Sequence, residues 1–373
     1  MAFIIVAMKV LYDHQAFTGS RFGGVARYFH DLMEDLTTMN VEVDLALYFS
    51  NNEYLKDSTI NKPLKYNYFL GFMPTNILIS QINRLASILT LQRGKFDLFH
   101  PTFFHPYFLE HLHDKPFVLT YHDLIKEKLN LTHLDNSSLE TKQLLINKAS
   151  KVIAISENTK SDILSFFDVS PDKISVVHHS SKFNTMPTYE EANLQLPNDY
   201  LLYVGTRNFY KNFDNLLLSL LPIFKKYPHL KLVCGGGGEL SETELLKLKE
   251  LHITDKIIQI GCNTDNKLYH LYKNATAFIY PSLYEGFGIP ILEAFACGCP
   301  VILSNTSSFP EIAEEAGMYF DPMQTDNMTQ VIEQVLVDKT LQKTLRVNGF
   351  KRQMDFSAEK TARKTLDVYK SIR

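Results

Sequence analysis

The sequence predicts an α/β protein folded as two doubly wound domains, and three observations predict it. Apolar β-branched runs alternate with polar loops and helix-period segments along most of the 373 residues. That is the pattern of parallel sheets covered on both faces. A polar stretch with two prolines, 180–198, interrupts the alternation once and reads as an interdomain linker. The length exceeds one core of ordinary size and suits two. The expected domains are 1–184, joined by a terminal helix at 356–373, and 198–355.

In the first half, 9–12 is a buried strand, followed by a loop bearing Gly19, Gly23 and Gly24. Residues 25–36 form a helix with Val25, Tyr28, Phe29, Leu32 and Met33 on one face. Strands follow at 41–48, 97–100, 117–121 and 151–155, and 175–178 closes this half. Segments 66–73 and 77–91 are apolar enough for helices in a core. The second half reads as strand 200–204, a helix that Asn208 or Asn212 could cap, strand 230–234, helix 242–251, strand 257–260 and helix 265–273. Strand 277–280, helix 290–297, strand 300–304 and helices 328–341 and 361–372 complete it.

Composition narrows the class. Hydrophobic content of 45% and charged content of 21% are those of a soluble globular protein. A net charge of −3 lacks the basic excess of a nucleic-acid binder. Cys234, Cys262, Cys297 and Cys299 are scattered, which suggests neither a zinc framework nor disulfides and points to a reducing cytoplasm. The apolar start, 2–8, is too short to span a membrane and has no basic residue before it, so export is not expected.

The most informative stretch is 280–304, YPSLYEGFGIPILEAFACGCPVILS. Glu285 and Glu293 stand with seven residues between them around the turn Gly286-Phe287-Gly288. Pro290 suits the first turn of a helix, and Gly298 and Pro300 close it. Backbone N–H groups around 286–289 would be available to a polar ligand. Two acceptor-only carboxylates beside a row of donors suit a polyol such as a sugar. Taken singly, Glu293 reads as a helix-dipole complement and Glu285 as a solvated loop charge.

Three further motifs lie at strand ends. After strand 201–204, Gly205 leads into a loop with Arg207 and Lys211, at the end of the sheet where open α/β folds bind ligands. Arg grips a pyrophosphate with two parallel hydrogen bonds and Lys acts as a point charge; a solvated basic loop is the plain alternative. Strand 118–121 runs into His122-Asp123, where Asp123 could hold the imidazole in one tautomer or simply cap a turn. Gly23-Gly24 before helix 25–36 lets backbone approach a ligand, though strand-to-helix turns need glycine as well. Gly235–Gly238 lacks the third glycine of a dinucleotide fingerprint. His178-His179 has no spaced metal-ligand partners and reads as hinge-proximal structure, and no Asp-x-Asp pair follows a strand.

The stretch 280–304, followed by Ser307-Ser308-Phe309-Pro310-Glu311, closely resembles the donor-site signature of retaining glycosyltransferases of the GT-B fold, glycosyltransferase family 4. The resemblance runs from Lys9 through the terminal helix and is sharpest at 200–215 and 280–312. It departs at Ala358, where members usually carry tryptophan. It implies two Rossmann-like domains facing across a cleft, with the last helix crossing back to the N-terminal domain. It implies that Arg207 and Lys211 hold the donor's diphosphate in place of a metal. Glu285 and the backbone of Phe287, Gly288 and Ile289 would hold the sugar, Glu293 the ribose, and Gly261 and Cys262 (with Asn263) would flank the base. Gly23 and Gly24 would close on the donor phosphates, with Arg27 on the adjoining helix. His122 would lie beside the reacting carbon, positioning and polarising it.

The wording GG-V-A-R-Y-F with E-G-F-G-I-P looks most like bacterial mannosyltransferases of surface polysaccharide and lipopolysaccharide assembly. That implies a GDP-mannose donor, no metal or other cofactor, a glycan or lipid-linked acceptor read by the N-terminal domain, and no nucleic-acid partner. The implied place is the cytoplasm, with peripheral association at the inner face of the membrane. Segments 66–73 and 77–91 would then be read alternatively as surface that contacts a lipid-linked acceptor. The rivals are transfer of glucose or N-acetylglucosamine from a UDP- or ADP-sugar, a GT-B epimerase or phosphorylase, and a catalytically silent partner subunit.

Overall fold

The computed structural model describes residues 8–19, 21–56, 58–60, 63–64, 75–131, 137–181, 183, 194–262 and 264–372. The expected segment 66–73, most of the linker and Asn263 lie outside these. Contacts divide the chain into two compact units, Met1–His179 with Ala358–Arg373, and Ser180–Ser357.

Unit 1 contains β1 (Lys9–Tyr12), α1 (Gly24–Thr38), β2 (Glu42–Leu45), α2 (Thr75–Arg93), β3 (Leu98–His100), β4 (Val118–Tyr121), α3 (Ile125–Lys128), α4 (Leu139–Lys148), β5 (Lys151–Ala154), α5 (Glu157–Phe166) and β6 (Ile174–Val176). Parallel strands run in the orders β2-β1-β3 and β4-β5-β6, and a parallel bridge between Phe99 and Phe117 links the two sets. Strand alternation sends Val10 and Tyr12 to one face and Leu11 to the other. The first face packs with Phe29, Leu32 and Leu36 of α1, and the second with Leu145 and Ile146 of α4 and Ile163 of α5.

Unit 2 contains β7 (Tyr200–Val204), α6 (Phe213–Lys226), β8 (Lys231–Gly235), α7 (Glu242–Glu250), β9 (Ile257–Ile260), α8 (Asp265–Asn274), β10 (Ala277–Tyr280), α9 (Ile289–Ala296), β11 (Val301–Ser304), α10 (Phe309–Ala313), β12 (Gly317–Phe320), α11 (Thr325–Val337) and α12 (Lys339–Gln353). Its six parallel strands run β12-β11-β10-β7-β8-β9. The order reverses between β7 and β10, which makes that point the ligand-binding crevice of such a sheet. The last helix, α13 (Ala358–Lys370), belongs to unit 1, where Ala362, Val368 and Tyr369 join the core beside α1.

Three expectations change, and one strand is added. The strand expected at 41–48 ends at Leu45, because the Asn83 side chain on α2 accepts from the N–H groups of Tyr48 (3.2 Å) and Phe49 (2.9 Å). The helix expected at 328–341 is two helices, since the Asp338 carboxylate accepts from Thr340 N and Leu341 N and starts α12 afresh. β12 was not foreseen, because four residues are too few for a period to show. Asn212 is left-handed (φ 56°), and its amide donates to Pro322 O at 2.8 Å instead of capping α6. α2 covers the expected core helix but leaves much of its apolar surface in solvent.

Candidate active site

Two loops meet where the strand order of unit 2 reverses. After β7, Gly205 (φ 124°) turns the chain out of the sheet, and a 3-10 turn at Phe209–Lys211 follows. After β10, residues 281–288 lead into α9. Leu283 N donates to Tyr210 O at 2.7 Å. Lys211 Nζ donates to Glu285 Oε1 at 2.7 Å and lies 3.5 Å from the Tyr280 hydroxyl. The Lys211 and Glu285 side chains are only 14% and 11% exposed, so the pair is largely dehydrated and its attraction is screened little. Burial, and then the Glu285 carboxylate, hold the Tyr280 phenol well above its usual range.

The loop after β11 fixes the turn itself. Ser307 Oγ accepts from Glu285 N at 3.2 Å, and Ser308 Oγ donates to the carbonyls of Glu285 (3.1 Å) and Phe287 (2.8 Å). Gly288 has φ 106°, and a Cβ there would stand 2.9 Å from Ile291 Cδ1 and 3.2 Å from Phe309. Only glycine suits that position. α9 starts at this turn without a side-chain cap or an acidic residue in its first turn, so the positive end of its dipole is not neutralised locally. Glu293 is buried in α9, and Oε2 accepts from the Tyr272 hydroxyl of α8 at 3.1 Å.

Arg207 and Lys211, predicted as one clamp, have separate partners. Arg207 Nε donates to Glu244 Oε1 at 2.5 Å, Nη1 to Gln259 Oε1 at 3.2 Å, and Nη2 to the carbonyls of Gly238 (3.2 Å) and Glu239 (2.8 Å). Its side chain is 4% exposed, so protein acceptors occupy most of the guanidinium fork. The glycine run 235–238 now has a reason. Gly237 has φ 71°, and a Cβ there would fall 2.2 Å from Gly205 O and 3.1 Å from Arg207 Nη1. A cavity of about 500 Å³ opens beside this cluster, lined by Thr206, Asn208, Gly237, Glu239, Ser241 and Lys247 among others. Gly261 and Cys262 follow β9, whose Ile260 O accepts from Gly236 N at 3.0 Å. Burial pushes the Cys262 thiol up to about 11, with a further upward contribution from Glu293, so it stays protonated at neutral pH.

In unit 1, Gly23 precedes α1 in an extended conformation open to any residue (φ −177°), and a Cβ on Gly24 would meet nothing within 4 Å. The turn therefore does not require Gly24, and α1 has neither a side-chain cap nor an acidic residue in its first turn. Arg27 lies 3.9 Å from Asp31 and over the Tyr54 ring.

His122 follows β4. Asp123 Oδ1 accepts from Ile125 N at 3.2 Å, while the His122 ring is wedged between aromatic neighbours. It stacks on His179 (centroids 5.5 Å, 15°) and meets the edges of Tyr28 (5.0 Å) and Phe29 (5.8 Å). Its Nε2 is sealed from water without a hydrogen-bond partner, and burial pushes the imidazole down to about 3. His122 is therefore neutral at physiological pH. Behind it, His100 bonds through Nδ1 to the Tyr369 hydroxyl (2.6 Å) and through Nε2 to Thr120 Oγ1 (2.9 Å), and Tyr369 meets the Tyr12 hydroxyl at 2.7 Å.

Sequence reasoning missed His100, Tyr369, Glu244, Gln259 and Tyr280, and it read His179 as hinge-proximal. The available signal was position, since Tyr12, His100 and Tyr280 are each the last residue of a strand. Among the described residues no three His, Cys, Asp or Glu side chains converge as a metal site, and no helix is long and apolar enough to cross a membrane.

Two doubly wound parallel units, the second with an E-x7-E turn at its strand-order reversal, define the GT-B class of transferases. The model of glycosyl transferases group 1 matches residues 188–352, and that of Glycosyltransferase Family 4 matches 22–180. The chain is 27% identical to the O-antigen chain mannosyltransferase B of Escherichia coli, over 94% of this chain and 96% of that one. Its fold superposes on the sucrose-phosphate synthase of Thermosynechococcus elongatus with a TM-score of 0.76 at 22% identity, covering 98% and 99% of the two chains. It superposes on Anabaena HepE, solved with UDP and glucose, with a TM-score of 0.75 at 17% identity, covering 98% and 100%. The chain belongs to the group 1, family 4 glycosyltransferases and is an enzyme of the transferase class.

Proposed function

We propose that this glycosyltransferase moves a mannosyl unit from GDP-mannose onto a glycan or lipid-linked acceptor of a bacterial surface polysaccharide, retaining the configuration at the anomeric carbon. The bond from that carbon to the diphosphate oxygen breaks, a bond to the acceptor oxygen forms on the same face, and the acceptor's proton passes to the departing phosphate. The observation that carries the reading is the dehydrated Lys211–Glu285 pair where the strand order of unit 2 reverses. A cation for a diphosphate beside a carboxylate for sugar hydroxyls is what a nucleotide sugar needs at that place.

The remaining roles follow the same logic. Arg207 and Lys211 neutralise the diphosphate without a metal. Glu285, with the backbone at Phe287, Gly288 and Ile289, holds the hexose hydroxyls, and Glu293 holds the ribose near Gly261 and Cys262. Gly23 and Gly24, where the fold leaves space at a helix start, admit the donor phosphates. His122, neutral and poorly solvated, polarises the reacting end of the sugar and does not act as a full base. Mannose is favoured by the full-length likeness to an O-antigen chain mannosyltransferase, while HepE with UDP and glucose stands for the rival donor class.

A thermal-shift panel of GDP-, UDP- and ADP-sugars, followed by NMR of the product's anomeric configuration, tests the reading. Stabilisation by GDP-mannose and an α-linked product are expected. Stabilisation by no nucleotide would overturn the donor site, a preference for a UDP-sugar would replace the donor, and inversion would remove the mechanism.

A further inference from the structure

We infer that His179 is a positioning residue whose ring holds the His122 imidazole in the plane that the transfer reaction needs. Unit 1 fixes its histidine rings in two ways. His100 is held through both nitrogens, by the Tyr369 hydroxyl and by Thr120 Oγ1. His122 Nε2 has no hydrogen-bond partner among the described residues. The torsion at an imidazole's Cβ–Cγ bond is broad by itself, so packing has to set the plane of this ring. The His179 ring lies almost parallel to it, at 15° with 5.5 Å between centroids. Tyr28 stands across both, 5.0 Å from His122 and 4.5 Å from His179, at 81° and 68°. Turning the His122 ring about Cβ–Cγ would drive its edge into one of these two neighbours.

His179 is a firm wall for that purpose. It is buried, and the backbone before it is fastened on two sides. Val177 N donates to Ala154 O at 2.9 Å, which carries the β5 pairing past the end of β6. His178 O accepts from Thr361 Oγ1 of α13, also at 2.9 Å. His179 is also the last residue of unit 1 before the chain enters unit 2. The ring stack therefore ties His122 to an anchored piece of backbone, and its plane follows that backbone. The plane matters because a hydrogen bond or dipole aimed at the sugar weakens steeply when it is misdirected. The donor's diphosphate and hydroxyls are assigned to unit 2, so a misaligned His122 should slow turnover and leave donor KM alone. The inference rests on the role proposed for His122.

The test compares the full chain with His179→Leu, which fills the space without a flat face, and His179→Phe, which restores one. Turnover is measured as slow hydrolysis of the nucleotide sugar that most stabilises the chain in the panel above. Ring orientation is read without any nucleotide, as the NMR Overhauser effect between the His122 and Tyr28 rings. H179L should lower kcat by at least about tenfold with donor KM unchanged, and should lose the Overhauser effect. H179F should recover both. H122A/H179L should be no slower than H122A alone, because a positioning residue has nothing left to position. Thermal melts by circular dichroism establish that each variant is folded. A slow H122A beside an H179L with wild-type kcat overturns this inference and leaves the role of His122 standing, whereas H122A at the wild-type rate removes both. A further loss when H179L is added to H122A, or an H179F as slow as H179L, also overturns it.

Discussion

Acid should loosen unit 1 well before its carboxylates titrate. His100 and His122 are pushed down to about 3 by burial, and burial also lowers His179 well below its ordinary value. These folded values lie below the unfolded value of 6.5, so the unfolded chain takes up protons that the folded chain refuses. The contribution is fully present above 6.5 and is lost as pH falls from there towards 3. At about pH 5 an unfolded imidazole with an ordinary value is mostly protonated, and each buried one costs about 2 kcal/mol. His100 and His122 together reach about 4 kcal/mol, a large part of the total stability of an ordinary domain, and His179 adds in the same direction. The assay is amide hydrogen exchange at about pH 7.5 and about pH 5, corrected for intrinsic rates. Protection in β1, β3 and β4 should fall by roughly three orders of magnitude, and by more than protection in β7 and β10. Unchanged protection in unit 1 would refute the reasoning, because it would mean these imidazoles accept protons in place.

Other outcomes follow from the same geometry. Glu285→Gln leaves Lys211 dehydrated without its counter-charge and should cost about 3 kcal/mol and at least about a hundredfold in transfer rate. K211M/E285Q should recover melting temperature but not activity, and recovery of both would show that the pair is structural. Glu244→Gln keeps a hydrogen-bonding group at its place in α7 but removes the charge held by Arg207. If Arg207 meets the donor's diphosphate, KM for the donor should fall several-fold, whereas an unchanged KM with a lower Tm would make Arg207 a scaffold for the 235–238 turn. Gly237→Ala should cost at least about 3 kcal/mol, because its methyl would overlap Gly205 O. Gly24→Ala should leave stability equal or raise it by about 0.5 kcal/mol while raising donor KM, and an unchanged KM would remove this glycine from the phosphate site.

The sequence by itself determined what local pattern can carry. Period and turn chemistry placed most strands and helices to within a few residues, and the 280–304 wording identified the glycosyltransferase class. Local pattern also marked Arg207, Lys211 and His122 as residues following strands, and Glu285 and Glu293 as residues of a glycine-bearing turn and the helix after it. Only the tertiary structure decided which charges meet. Lys211 pairs with Glu285 across 74 positions, and Arg207 with Glu244 across 37. Nothing in a local window distinguishes those partners from the other acidic residues of the chain. The histidine cluster likewise gathers Tyr12, His100, His122, His179 and Tyr369 from ends of the chain that only folding brings together. α2 carries the same lesson in reverse. Its composition reads as core, but hydrogen bonds from Asn83 and Ser87 to distant backbone outweigh the hydrophobic pattern and turn its leucines outward, because a buried amide must find partners wherever they lie.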